Sequence, residues 1–386
     1  MLEASKSDAR PVVRILGTHG VPGAYGGFET AAEHVAKYLV KQGWRVIVYC
    51  QTGKDGTYSE DTWEGIERVN IGVESKNWLG TAKFDWLSIN HACKYRDLCL
   101  TFGYNTGVFN FMQRLKGIPN VINMDGIEWS RKRWGVLRQA ILYVNERFAA
   151  LFGDHLIADH PEIHKYLLTR APARKITTAT YGAETFVVAP PTKPVTDLGL
   201  TPGEYFTLIA RPIPENSILE IVQAYSEKPR GRPLVILGNY DEATDPYHAA
   251  IKAAASPEVK FVGAIYGETV GILRYHGIGY FHGHTVGGTN PSLVEALAAG
   301  NPVFAHDNPY NRWVAQDAAV FFKGKEDLSQ LIEEVLQSSS RRRAMHLAAV
   351  RRYNEEFTWD HVAGVYETIL RRFTGGPLSN TTHGKS

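Results

Sequence analysis

One stretch, Gly287-Gly288-Thr289-Asn290-Pro291-Ser292-Leu293-Val294-Glu295-Ala296-Leu297-Ala298-Ala299-Gly300, fixes how the chain around it can fold. The apolar runs Ile278 to Phe281 before it and Pro302 to Ala305 after it read as buried strands. Between them Leu293, Val294, Leu297 and Ala298 repeat with helical spacing. Two glycines thus lead from a strand into a helix whose first turn is Pro291-Ser292, with proline at a favoured starting position. Backbone N–H groups and the positive end of a helix dipole then face out of the loop, which suits a phosphate. Glu295, about one turn in, stands where it would accept hydrogen bonds from a neighbouring group such as ribose hydroxyls. An ordinary strand–loop–helix with a surface Glu has the same pattern, and spacing alone leaves both readings open.

The rest of the chain alternates in the same way. Val12 to Leu16 reads as a strand that enters a long loop, Gly17 to Glu29, and then a helix with Ala31, Val35, Tyr38 and Leu39 on one face. Arg45 to Cys50 is the next strand, which makes the opening of a Rossmann-like unit. No Gly-x-Gly-x-x-Gly follows the first strand, so the dinucleotide fingerprint is absent. Asp55 to Lys83 is polar, and its periodicity does not settle a structure. Leu98 to Phe102 and Val121 to Met124 read as strands that each lead into a loop, the second being Asp125-Gly126-Ile127-Glu128-Trp129-Ser130-Arg131-Lys132-Arg133-Trp134. A helix from Leu137 to Phe152, a strand His155 to Ala158, a helix after Pro161 and a strand Lys175 to Thr180 complete the first half. Val188 to Pro202, rich in Pro and Thr, is the best linker candidate. Tyr205 to Ala210, Leu234 to Leu237 and Val259 to Val262 then restart the alternation as a second parallel sheet. The fold class is therefore α/β with two Rossmann-like domains, 1–186 and 187–356, and residues 357–386 returning to the first as a helix and tail.

Composition excludes several classes. Of 386 residues 44% are hydrophobic and 21% charged, as in a folded globular chain, and a net charge of +2 argues against a dedicated nucleic-acid binder. Cys50, Cys93 and Cys99 form neither a disulfide framework nor a metal-ligand pattern. Met1 to Arg10 lacks the apolar core of a signal peptide, and no run of roughly 18 apolar residues exists to span a membrane. The expected location is cytoplasmic. Arg131-Lys132-Arg133 beside Trp129 and Trp134 reads either as a solvated basic face or as a contact with the inner face of an anionic membrane.

The central stretch resembles the nucleotide-sugar loop of retaining glycosyltransferase family 4, in the subgroup of bacterial polysaccharide rhamnosyltransferases, and the resemblance spans nearly the whole chain. It implies the GT-B architecture, with the donor between two domains and the last helix crossing back to the first. The family's Glu-x7-Glu pattern places its second Glu, the ribose-holding one, at Glu295. Its first, which holds the donor sugar, falls at Gly287, so the sugar contact does not carry over. Gly26-Gly27 resembles the glycine pair set against the donor diphosphate. Arg211 matches the Arg of an Arg-x-x-x-x-Lys element, whose Lys position is Asn216 here. Asp125, Glu128 and Trp129 match the subgroup's Asp-Gly-x-Glu-Trp run.

The resemblance implies catalytic roles for Asp125, Arg211 and Glu128, and donor binding by Gly26, Gly27, Arg211, Asn216, Gly287, Gly288, Thr289, Asn290, Ser292 and Glu295. Glu29 and Trp129 fall on the acceptor side, although Glu29 also fits a first-turn acid favoured by the helix dipole. Asp307, Asn308, Tyr310, Asn311 and Arg312 are expected to close over the nucleotide. No metal or cofactor is expected, because no Asp-x-Asp stands at a plausible strand end. The implied reaction moves a hexosyl or 6-deoxyhexosyl unit, with rhamnose from dTDP-rhamnose as the nearest resemblance, to a saccharide or lipid-linked saccharide with retention. A nucleotide-sugar epimerase or hydrolase, and a non-catalytic nucleotide-sugar-binding subunit, stay open beside it.

Overall fold

The computed structural model describes residues 10–23, 26–75, 77–131 and 134–374. The polar start before Arg10, Ala24 and Tyr25 of the first glycine loop, Lys132 and Arg133 of the basic run, and the tail after Thr374 lie outside the described residues. The chain divides into two compact units, Met1–Thr180 with Trp359–Ser386, and Tyr181–Thr358.

The first unit runs β1 (Val12–Leu16), α1 (Gly27–Lys41), β2 (Arg45–Thr52), β3 (Tyr58–Trp63), β4 (Ile66–Gly72), α2 (Trp78–Ala92) and β5 (Leu98–Phe102). It continues through α3 (Phe111–Leu115), β6 (Asn120–Asn123), α4 (Val136–Phe152), β7 (His155–Ala158), α5 (Pro161–Leu167) and β8 (Ile176–Thr178). The sheet has the order β3-β4-β2-β1-β5-β6-β7-β8. All its pairs are parallel except β3 with β4. Those two form the hairpin that periodicity could not place. Glu64 and Gly65 turn it with φ of 49° and 80°, as a two-residue turn matched to strand twist requires. β3 is exposed on both faces, so YSEDTW carries no apolar alternation to read. β1 and β5 are buried along nearly their whole length. The one cation in that layer, Arg14, donates to Asp97 at 2.8 Å and to the Tyr49 hydroxyl at 3.1 Å, which offsets the cost of burying it.

The second unit begins with α6 (Lys193–Thr196), β9 (Phe206–Ile209), α7 (Ile218–Ser226), β10 (Leu234–Leu237), α8 (Pro246–Ala254), β11 (Val259–Phe261) and α9 (Glu268–Tyr275). It ends with β12 (Gly279–His282), α10 (Pro291–Ala298), β13 (Val303–His306), α11 (Pro309–Ala315), β14 (Ala319–Phe322), α12 (Lys325–Gln337) and α13 (Ser339–Glu356). Its six strands are all parallel, in the order β11-β10-β9-β12-β13-β14. Phe206, Tyr225, Phe281 and Phe304 interlock at its centre with ring centroids 4.7 to 6.1 Å apart. The expected linker, Val188 to Pro202, is instead part of this core. Val195 and Leu200 are buried with Tyr205, Val235, Leu237, Ile272 and Leu273. Arg341-Arg342-Arg343 lies at the start of α13, where Arg342 donates to the Val335 carbonyl at the end of α12.

The passage out of the first unit and the return to it are tied together within the second, where the Ala183 N–H donates to the Phe357 carbonyl at 2.9 Å. α14 (Trp359–Arg371) then joins the first unit. Trp359 stacks on His34 of α1 at 4.3 Å, and the Trp44 indole donates to Glu367 at 3.2 Å. No helix among the described residues is long and apolar enough to cross a membrane.

Burial pushes the Asp85 carboxyl on α2 up to about 6 from 3.8, against the pull of the Thr106 hydroxyl that donates to it at 2.8 Å. The folded pKa lies above the unfolded one, so the native state binds this proton more tightly. The group's contribution to stability falls as pH rises from about 4 to about 6. Asp85→Asn is expected to be about 3 kcal/mol more stable than wild type in urea unfolding at pH 7, with little difference at pH 4. His155, lowered to about 4 by burial, imposes the opposite slope, so the difference between the two proteins is the readout. Equal stabilities at pH 7 would show that Asp85 carries no such penalty.

Candidate functional site

In both units the parallel order gathers the candidate residues into loops after the carboxyl ends of the strands. The second unit holds the central stretch between β12 and α10. Gly287 adopts φ 146°, and a Cβ there would meet nothing within 4 Å, so the glycine is needed for its backbone conformation and not for space. Among the described residues the N–H groups of Gly287 and Gly288 have no hydrogen-bond partner. Thr289 is buried beside them. Asn290 is the N-cap of α10, and its side chain accepts the Ser292 N–H at 3.0 Å.

Ser292 therefore does not match the expected role of an open phosphate donor. Its amide is capped, and its hydroxyl takes part in a buried network. Arg274 of α9 donates to it at 2.8 Å, the Tyr280 hydroxyl lies at 2.7 Å, and it donates in turn to the Ile209 carbonyl at 3.0 Å. The same guanidinium reaches the Glu295 carboxylate at 2.6 Å. Arg274 is buried whereas the Glu295 side chain is 38% exposed, so a cation inside the unit aims a half-open carboxylate outward. Sequence reasoning passed over Arg274, because a cation on α9 carries no signal of a partner twenty residues away.

Arg211 is exposed in the turn that follows β9. Asn216, placed at the family's Lys position, is buried, and its amide nitrogen donates to the Arg211 carbonyl at 2.8 Å. It holds the turn that presents Arg211 and has no surface for a ligand. The close approach of β12 to this turn explains Gly283, where a Cβ would lie 2.1 Å from the Asn216 carbonyl oxygen. His282 and His284 flank that glycine with rings stacked at 4.3 Å. Burial, with His284, Arg274 and His306 nearby, lowers the His282 pKa far enough to keep the ring neutral. Among the described residues no His, Cys, Asp and Glu group could hold a metal ion. Asn308 and Asn311 both donate to the His284 carbonyl, at 3.0 and 2.9 Å, and Asp307 pairs with Arg312 at 2.5 Å. The start of α11 thus braces the loop from below.

In the first unit Asp125 follows β6 with φ 54°, a left-handed conformation uncommon for a residue with a Cβ and frequent at functional sites. Its N–H donates to Asn123 Oδ1 at 3.0 Å, while Asn123 Nδ2 donates to the Tyr366 hydroxyl of α14 at 2.5 Å. The returning helix thereby holds the Asp125 turn. Tyr104 donates to the Gly126 carbonyl at 3.0 Å and accepts the Glu128 N–H at 2.8 Å. The Glu128 carboxylate pairs with Arg131 at 2.6 Å, which gives that arginine a partner other than solvent. The Trp129 indole donates to buried Glu146 at 2.9 Å, so its polar edge faces inward. Glu29 takes neither expected role alone: its carboxylate accepts the His19 N–H at 3.1 Å and closes the Gly17–Gly27 loop. Gly26, the N-cap of α1, has φ 120°, where a residue with a Cβ would be strained, and Gly27 opens the helix.

Comparison with known proteins agrees with this layout. Residues 10–184 match a family model described as a domain of unknown function, DUF1972, and residues 220–368 match one described as glycosyl transferase-like. A search of curated proteins gave no match. Among solved structures the chain is similar to sucrose-phosphate synthase from Thermosynechococcus elongatus, at TM-score 0.79 and 16% identity, covering 94% of this chain and 99% of that one. It is similar to Anabaena Alr3699/HepE in complex with UDP, at 0.73 and 15%, covering 94% and 100%. WaaG, a glycosyltransferase involved in lipopolysaccharide biosynthesis, gives 0.69 and 16%, covering 95% and 100%. The fold is that of the GT-B glycosyltransferases.

Tyr366→Phe removes the acceptor of the buried Asn123 amide. It is expected to cost about 1–3 kcal/mol in urea unfolding, because a buried donor is left unpaired. Unchanged stability would mean that Asn123 finds another partner.

Proposed function

We propose that this chain is a glycosyltransferase that takes a nucleoside diphosphate sugar as donor. One observation carries the reading. The loop whose Gly287 and Gly288 N–H groups have no hydrogen-bond partner among the described residues opens α10, and one turn on stands a carboxylate fixed by buried Arg274. An anion at the loop and a diol at the carboxylate describe a nucleotide's phosphate and ribose. The glycosyl transferase-like family model over residues 220–368 supports it, as does the UDP held by the structurally similar HepE.

The finer reading is a retaining, metal-independent hexosyl transfer, with a 6-deoxyhexose such as rhamnose as donor sugar and a saccharide or lipid-linked saccharide as acceptor. The C1–O bond to the diphosphate breaks, the acceptor oxygen bonds to C1 on the same face, and the leaving phosphate oxygen takes the acceptor's proton. Arg211, exposed after β9, would neutralise charge growing on that phosphate. Asp125 would position the sugar or the incoming hydroxyl. Gly287 leaves open space where the family's first Glu stands, which supports a donor read by other groups.

Thermal stabilisation by UDP, GDP and dTDP, with and without magnesium, tests the reading. A selective, magnesium-independent rise in Tm with dTDP is expected, a UDP or GDP preference would discard rhamnose, and no rise with any would refute nucleotide binding. Arg211→Ala is expected to lower kcat by about tenfold or more with a smaller change in donor KM, as for a contact made in the transition state. Full turnover at saturating donor would remove Arg211 from that role.

A further inference from the structure

The second unit has a cavity at the amino end of β14, on the sheet edge opposite the candidate loops. It lies between α13 and the start of that strand, and its volume of about 450 Å³ is that of a small-molecule site. Arg341, Ala344, Ala348 and Arg351 line it from α13, where they fall within an arc of roughly 80°, and Asp317 and Val320 line the other wall. The two arginines stand about 15 Å apart along the helix axis, with the alanines between them. Neither is tightly held. Arg351 lies 3.9 Å from Asp317, beyond a hydrogen bond, and the two side chains are 61% and 88% exposed. Arg341 donates through Nη1 to Glu334 at 2.8 Å, one bond from a fork with five N–H groups. The neighbouring arginines differ: Arg342 serves the end of α12, and buried Arg352 donates to the Trp313 and Val314 carbonyls.

The same helix supports the candidate loops from behind. His346 Nδ1 lies 2.7 Å from the Gly300 carbonyl at the end of α10, and a Cβ on Gly300 would come within 2.6 Å of that ring. The Arg352 bonds hold the end of α11. α13 thus grips the far ends of the two helices whose starts carry Asn290 and Asn308. We propose that the cavity is an effector site for a phosphorylated small molecule, whose occupation changes nucleotide affinity through α13 and α10. Two guanidiniums against one carboxylate leave the lining positive. A phosphate monoester carries nearly two negative charges and three acceptor oxygens, enough to take the Arg351 fork with two bonds beside Asp317. Its organic part then lies along Ala344 and Ala348 toward Arg341. The site stands on the cavity alone, whereas the change in affinity rests on the nucleotide reading.

Isothermal titration of the full-length protein with mannose 6-phosphate, and with gluconate and inorganic phosphate for comparison, tests this. Wild type is expected to bind the phosphate ester at least about tenfold more tightly than either of the others. Arg341→Ala with Arg351→Ala removes the charge, and Ala344→Trp separately fills the cavity. Each is expected to weaken binding about tenfold or more, with Tm and nucleotide-induced stabilisation unchanged, since exposed ion pairs contribute little to the fold. No binding by wild type, either variant binding like wild type, or inorganic phosphate binding as well as the ester would overturn the site. Saturating ester is expected to change the Kd for nucleoside diphosphate at least about fivefold in wild type and not in the double variant. An unchanged Kd would overturn the effector role. Ester binding by a wild type that no nucleotide stabilises would count against the nucleotide reading and leave the site standing.

Discussion

A strand followed by a parallel neighbour must be crossed by a connection over one face of the sheet, and that constraint organises this molecule. It buries the central strands on both faces, so they read as short apolar runs, and it returns every chain segment to the same edge. Loops that follow the strands therefore collect at the carboxyl ends. In the second unit these are the turn after β9, the His282–Asn290 segment after β12 and the Asp307–Asn308 turn after β13. Asn216, Asn308 and Asn311 are all used in holding them, each donating to a loop carbonyl.

Within that frame the buried Arg274 couples fold to chemistry. Its guanidinium binds Ser292 and Glu295, and through Ser292 the first turn of α10 is pinned to the Ile209 carbonyl at the end of β9. A cation taken out of water needs a carboxylate, and here the carboxylate it takes is half-open. The helix start, the carboxylate and the neighbouring strand end thus share one rigid support, which is what a site needs to hold a phosphate and a sugar at fixed spacing. In the first unit Tyr366 of α14 serves a similar end, since it reaches the strained Asp125 turn through Asn123.

Much of this was legible from residue pattern, for physical reasons that also mark where legibility stopped. Buried parallel strands such as Val12–Leu16 and Leu234–Leu237 announce themselves as apolar runs, and Gly287 and Pro291 punctuate the loop between strand and helix. β3 did not, because an edge strand exposed on both faces has no apolar side. Val188 to Pro202 looked like a linker because its prolines hide two core residues, Val195 and Leu200. Side-chain roles were harder still. Ser292, Asn216 and Glu29 have the right chemistry at the right positions, yet their polar atoms are taken by the protein itself. Arg274 is set apart only by what it touches after folding.

In the proposed reading the loop before α10 and the Arg274-held Glu295 together receive a nucleotide. Determining the structure of the protein with the best-binding nucleoside diphosphate tests this most directly. The expected result places the diphosphate against the N–H groups of Gly287 and Gly288 and a ribose hydroxyl on Glu295. A nucleotide bound elsewhere, with Glu295 touching only Arg274, would contradict it.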